Sequence, residues 1–237
     1  MAVRFVLVPG AGGNALYWYR VQPLLAAAGY EVRAVALPNF DGATFADHGD
    51  AIVEAGTGAS EVVLVAQSMG AFAAPLACDR LPVSELVLVN PMVPAPGESA
   101  GAWWADTDHA AAVRENDARE GREHDPTMHF EAYFLHDVPA EVLEQTAGSE
   151  ASPAGSLFAD PTPMLAWPDV RTTVLASRGD RFFPYAFQQR ITRERLGLEV
   201  EPLPGGHLVA FSQPEALATR LLQGRIVGPG DQVSARS

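Results

Sequence analysis

Ala66-Gln67-Ser68-Met69-Gly70 follows the apolar run Glu61-Val62-Val63-Leu64-Val65 and precedes a stretch of small residues at 71–78. A serine hydroxyl is a weak nucleophile unless it is exposed beside a base. A sharp turn from strand to helix would lift Ser68 out at the carboxyl edge of a sheet. It would also aim the N–H of Met69, at a helix N-terminus, toward a developing oxyanion. Small residues two places to either side, Ala66 and Gly70, let the chain pass close to itself. His207, in Pro204-Gly205-Gly206-His207, and Asp180, in Ser177-Arg178-Gly179-Asp180, each lie just past another apolar run. Taken alone, the histidine reads as structural or exposed and the aspartate as a turn or helix cap. Taken together, in the order Ser, Asp, His and each at the carboxyl end of a strand, they read as nucleophile, orienting acid and general base.

A second loop, Val8-Pro9-Gly10-Ala11-Gly12-Gly13, follows the first apolar run. A dinucleotide fingerprint would need its third glycine at Ala15 and an acidic residue where Leu37-Pro38-Asn39 stands. The loop is better suited to supply a second oxyanion N–H, from Ala11.

The elements that must position these residues alternate. Strands are predicted over 3–8, 31–37, 61–66, 85–90, 172–176 and 198–202. Helices are predicted over 17–28, 44–55, 71–78 and 185–196, with a final helix opened by Ser212-Gln213-Pro214-Glu215 as a capping box. Near-continuous apolar strands alternating with helices predict a parallel sheet covered on both faces. The rhythm breaks over 92–169, which is rich in proline, charge, histidine and tryptophan, with mostly helical patches such as 139–147. That stretch reads as a cap inserted into a single domain spanning 1–237. After Val227-Gly228-Pro229-Gly230 the polar segment 228–237 reads as a flexible tail.

A formal net charge of -13 opposes contact with phosphate backbones, so no nucleic-acid partner is expected. The acidity gathers between 98 and 150 and reads as a solvated surface. All basic side chains other than histidine are arginine, which excludes chemistry that needs a lysine amine. Cys78 is the single cysteine, so neither an intrachain disulfide nor a thiolate metal site can form. The apolar run at 3–8 is too short for a secretory or membrane segment, and a soluble cytoplasmic protein without membrane contact is the default expectation. His109, His124, His129 and His136, with Asp108, Asp125 and Asp137, show no i, i+4 histidine pair and no zinc spacing. No metal and no cofactor are expected, and nothing in the sequence sets an oligomeric state.

Leu7-Val8-Pro9-Gly10-Ala11-Gly12, Tyr17-Trp18-Tyr19 and Pro23-Leu24-Leu25-Ala26-Ala27-Ala28-Gly29-Tyr30, with the elbow, acid and histidine above, resemble the α/β-hydrolase superfamily over nearly the whole chain. The chain is most similar to the branch of plant methyl-ester esterases and hydroxynitrile lyases. The resemblance implies an α/β-hydrolase fold that begins at the family's third strand, hence about six parallel strands, helices on both faces and an inserted helical cap. It implies triad roles for Ser68, Asp180 and His207 and oxyanion roles for the N–H groups of Ala11 and Met69. The chain departs from the pattern at Pro9, where the branch carries histidine, and at Ala66, where the superfamily carries glycine; neither change removes a catalytic atom. Tyr17, Trp18, Trp103, Trp104 and Phe182 are expected to wall an apolar substrate pocket. The expected activity is hydrolysis of a small to medium uncharged ester through an acyl-enzyme. A hydroxynitrile-lyase-like C–C cleavage is the alternative, although Leu208 stands where those lyases place a lysine after the catalytic histidine. A non-catalytic small-molecule binder is the third reading.

Overall fold

The computed structural model describes residues 3–149, 151–223 and 225. The β-branched and leucine-rich runs form six strands: β1 (Val3–Val8), β2 (Glu31–Ala34), β3 (Glu61–Gln67), β4 (Val83–Val89), β5 (Thr172–Ser177) and β6 (Val200–Leu203). They make one sheet in the order β2-β1-β3-β4-β5-β6, with every neighbouring pair parallel. Alternation along each strand divides the core in two. Val6, Val8, Leu64, Ala66, Leu86 and Leu88 face one side, while Phe5, Leu7, Val63, Val65, Val87 and Val89 face the other. Each of the valine, leucine and phenylalanine side chains among them, once buried, contributes about 1.5–3 kcal/mol.

The helices are α1 (Gln22–Ala27), α2 (Phe45–Gly56), α3 (Ala100–Asp106), α4 (His109–Arg119), α5 (Phe130–Tyr133), α6 (Ala140–Thr146), α7 (Ser156–Ala159), α8 (Tyr185–Leu196), α9 (Val209–Ser212) and α10 (Pro214–Leu222). α2, α3 and α8 pack on the first face of the sheet, and α1, α9 and α10 on the second. The cap segment between β4 and β5 carries α3 to α7. The pairing of Val8 with Ala66 sets the ends of β1 and β3 side by side. There the strand order reverses, and the loops after both strands meet in one crevice.

Three local expectations are corrected. The helix expected over 71–78 is two 3₁₀ segments, Ser68–Phe72 and Ala74–Ala77. Pro75 has no N–H to give the Ala71 carbonyl, so the α-helical ladder cannot pass it. The helix expected over 17–28 is likewise split into a 3₁₀ segment, Ala15–Trp18, and α1, which restarts with Pro23 in its first turn. The capping box expected at Ser212 does not form: Ser212 closes α9, Gln213 is the N-cap of α10, and the Ser212 hydroxyl is buried without a hydrogen-bond partner. A capping box forms instead between Thr44 and Asp47 at the start of α2. The expected tail at 228–237 lies outside the described residues. No described helix is long and apolar enough to cross a membrane.

Candidate active site

Ser68 sits where β3 turns into the 3₁₀ segment Ser68–Phe72, at φ 50°. A left-handed conformation costs a non-glycine residue about 1–3 kcal/mol, and the surroundings must hold it there. Two close approaches do so. A Cβ on Gly70 would lie 2.6 Å from the Pro9 carbonyl oxygen, and one on Gly10 would lie 2.9 Å from the Ser68 Cβ. Glycine at both positions lets the elbow and the loop after β1 touch backbone to backbone. Ala66 is buried in β3 with its methyl group in the core, so the departure from glycine is absorbed by packing.

His207 follows β6 on the glycine loop and is 1% exposed. Its Nδ1 lies 2.8 Å from Asp180 Oδ2, and its Nε2 lies 3.1 Å from Ser68 Oγ. A carboxylate only accepts, so the proton belongs on Nδ1 and the Nε2 lone pair faces the serine hydroxyl. Asp180 is 2% exposed. Its other oxygen, Oδ1, accepts the backbone N–H groups of Phe182 at 2.9 Å and Phe183 at 2.8 Å. The aspartate therefore caps its own turn through one oxygen and meets the histidine through the other. Asp160 and Asp169 are both exposed and take no part. Phe134, Phe182 and Phe183 meet the His207 ring edge-on, with centroids 5.1, 5.2 and 4.9 Å away. These rings keep water from the histidine–aspartate contact.

Ser68 and His207 open into a cavity of about 470 Å³. Its floor is the loop Pro9 to Gly12 with Gln67; Tyr17, Leu208 and Phe211 form one side. The cap segment supplies the rest, through Phe130, Phe134, Leu135, Leu143, Thr146, Ser149, Ala151, Ser152 and Pro153. Burial pushes the Tyr17 phenol far up, so it stays neutral, and its oxygen accepts the Ala210 N–H at 3.3 Å. Among the described residues, the lining includes no Asp, Glu or Arg. Arg178 stacks over Tyr185 at 4.8 Å, and Arg181 donates to the Ala132 carbonyl at 3.0 Å.

The sequence-predicted residues divide accordingly. Ser68, His207, Ala11 and Tyr17 line the cavity, and Asp180 stands behind the histidine. Met69 is the second residue of the 3₁₀ turn, where its N–H has no partner within that turn, and its side chain joins the core. Trp18, Trp103, Trp104 and Phe182 do not line the cavity. Trp18 is fully buried on the α1 face, and Trp103 is fully buried with its Nε1 donating to the Val93 carbonyl at 2.8 Å. Trp104 and Phe182 pack around His109. Large apolar rings near the cap junction are drawn into the core because burial there removes more of their surface from water than a pocket wall would.

Sequence reasoning missed two polar residues here. Gln67 Nε2 lies 3.2 Å from His207 Nε2. Asn90, fully buried just after β4 at φ 43°, donates to Ser177 Oγ and to the carbonyls of Gly206 and His207, and accepts the Ser177 N–H at 2.7 Å. A polar residue ending an apolar strand at this sheet edge was the available signal. The histidines and aspartates considered for metal are engaged separately: His109 with the Phe182 carbonyl, His124 with Asp117 and His129 with Asp125. Among the described residues, no three His, Cys, Asp or Glu side chains gather to hold a metal ion. Burial pushes the Cys78 thiol up to about 12, which leaves it unreactive.

Comparison with known proteins agrees with this architecture. No curated protein sequence matches the chain. Among solved structures, polyneuridine aldehyde esterase superposes with a TM-score of 0.71 at 22% identity, covering 94% of this chain and 98% of that one. A pyrethroid hydrolase from Sphingobium faniae gives 0.74 at 20% identity, over 93% and 96%. A methylesterase from Arabidopsis gives 0.70 at 19% identity, over 93% and 98%. At these identities the likeness is one of fold, and it includes the plant methyl-esterase branch that the sequence resembles. The model of the alpha/beta hydrolase family matches residues 5–220, and the chain belongs to that family.

Proposed function

We propose that the chain is a serine hydrolase that cleaves small to medium uncharged esters through an acyl-enzyme. The observation that carries this reading is the buried chain of hydrogen bonds from Asp180 through His207 to Ser68, opening into a cavity whose lining, among the described residues, includes no Asp, Glu or Arg. Ser68 Oγ attacks the ester carbonyl carbon while His207 Nε2 takes its proton. Asp180 holds the histidine tautomer and stabilises the imidazolium. The N–H groups of Ala11 and Met69 stabilise the oxyanion. Collapse of the tetrahedral intermediate expels the alcohol, which takes the proton from His207. Water, deprotonated by the same nitrogen, then attacks the acyl-enzyme and releases the acid and free Ser68. Esterase neighbours on the same fold support the ester reading. Leu208 lines the cavity beside His207 as an apolar group, which disfavours a lyase mechanism that needs a cation at that place.

The test is labelling with a fluorophosphonate, followed by mapping of the adduct and an ester panel. The expected adduct is on Ser68, and Ser68→Ala should fold and lose activity by several orders of magnitude. An adduct on Ser177 or Ser212, or cyanide release from mandelonitrile without ester turnover, overturns the reading. Absence of both activities points to a non-catalytic binder.

A further inference from the structure

The loops that carry Asp180 and His207 are each preceded by a glycine, Gly179 and Gly206. Two consecutive residues of the cap segment reach the second of these glycines. Asp137 Oδ2 accepts the Gly206 N–H at 2.6 Å, and the His136 ring lies against the same residue. The loops are also joined to each other, Gly179 N–H to the Gly205 carbonyl at 2.9 Å. The contact leaves no space. A Cβ on Gly206 would lie 2.6 Å from Asp137 Oδ1 and 2.7 Å from His136 Cε1. Asn90 donates to the Gly206 carbonyl at 3.1 Å, so this one residue is held by its C=O from the core and by its N–H from the cap. Asp137 Oδ1 and His136 Nδ1 are buried without partners, so both side chains give up hydration to make these contacts.

We propose that His136 and Asp137 form a clasp that positions His207, Asp137 by holding the Gly206 N–H and His136 by packing against the same glycine. Phe134 and Leu135, just before the clasp, line the cavity. The segment that walls the substrate therefore also sets the base, and an unseated cap leaves His207 held by the core alone. Small displacements of a base cost large factors in rate, because proton transfer needs close approach and alignment.

The inference rests on the hydrolase reading, and its test separates the two. Asp137→Ala, Asp137→Asn and His136→Leu are compared with the intact chain for 4-nitrophenyl acetate turnover, fluorophosphonate labelling and the proton NMR resonance of His207 Nδ1–H. In Asp137→Ala, kcat and labelling rate should fall about tenfold while KM stays within about twofold. Asp137→Asn keeps an acceptor oxygen for Gly206 and should recover to within about threefold of the intact chain. His136→Leu should also lower kcat at constant KM. Unchanged kcat in Asp137→Ala and His136→Leu, a loss confined to KM, or an Asn variant as impaired as the Ala variant overturns the clasp. If the intact chain neither labels nor turns over esters, the hydrolase reading fails by itself. The clasp is then read from the Nδ1–H resonance: it stands if Asp137→Ala weakens that resonance and falls if the resonance is unchanged.

Discussion

Asn90 Nδ2 donates to the carbonyl oxygen of His207 at 3.1 Å across 117 residues of chain. The same side chain takes the Ser177 N–H, so it ties the end of β5 to the histidine loop. Asn90→Ala leaves that buried N–H and the Gly206 carbonyl without partners, and the His207 carbonyl with only Gln67 Nε2 at 3.5 Å, at about 1–3 kcal/mol for each orphaned group. A loss of about 3 kcal/mol in unfolding free energy is expected, together with a lower kcat. Asn90→Asp should be worse, since a carboxylate would face two carbonyl oxygens. Urea titration decides it, and an Ala variant within 1 kcal/mol of the parent (about fivefold in the folding constant) would contradict the account.

Asp180→Asn should keep the fold, because its side-chain oxygen can still accept from Phe182 and Phe183. The amide facing His207 Nδ1 donates where the carboxylate accepted, which favours the wrong tautomer and lowers kcat by about 10⁴. Asp169→Asn, at an exposed position outside the site, should be silent. The two variants exchanging these outcomes in an ester assay would refute the assignment.

Stability should fall on mild acidification. Burial holds His48, His109 and His136 below the ordinary 6.5, with Arg181 adding to the effect at His136. Below 6.5 the unfolded chain takes up protons that the folded histidines refuse. The contribution is therefore complete above about pH 6.5 and lost below it, by up to about 1.4 kcal/mol per histidine per pH unit. Glu31, held low by Arg4, and Asp47, held low by the Thr44 cap, add their losses only below 4.5 and 3.8. Unfolding free energies at pH 7.5, 6.5 and 5.5 should decline only over the last interval, and His48→Gln should flatten that decline. A constant value across all three would exclude the mechanism.

Substrate charge should matter in one direction. Among the described residues the cavity lining has no arginine to pair a carboxylate or phosphate, and the chain carries a net charge of -13. Neutral short-chain esters should show the highest kcat/KM. Esters bearing a free carboxylate should be poorer, and their kcat/KM should rise with salt as long-range repulsion is screened. A preference for the charged esters would require Arg178 or Arg181 to leave its present partner and turn inward.

The parallel sheet, its six strands, the elbow around Ser68 and the loops bearing Asp180 and His207 were legible in the sequence. They rest on local signals: apolar runs of strand length, glycines where backbones touch, and polar residues placed just past strand ends. The helix breaks at Pro23 and Pro75 were equally local and could have been read from proline's missing N–H. What only the tertiary structure decided is which side chains meet at long range. Trp18, Trp103, Trp104 and Phe182 look like pocket walls by type, yet hydrophobic burial has no direction and drew them into the core or around His109. Phe130, Phe134 and Leu143 took the wall instead, because the cap's path over the sheet set which residues face Ser68. Asn90 and Asp137 carry no motif. Their importance arises from hydrogen bonds to backbone atoms tens of residues away or more, and backbone N–H and C=O groups are the same at every position, so no pattern of residue types can announce such partners.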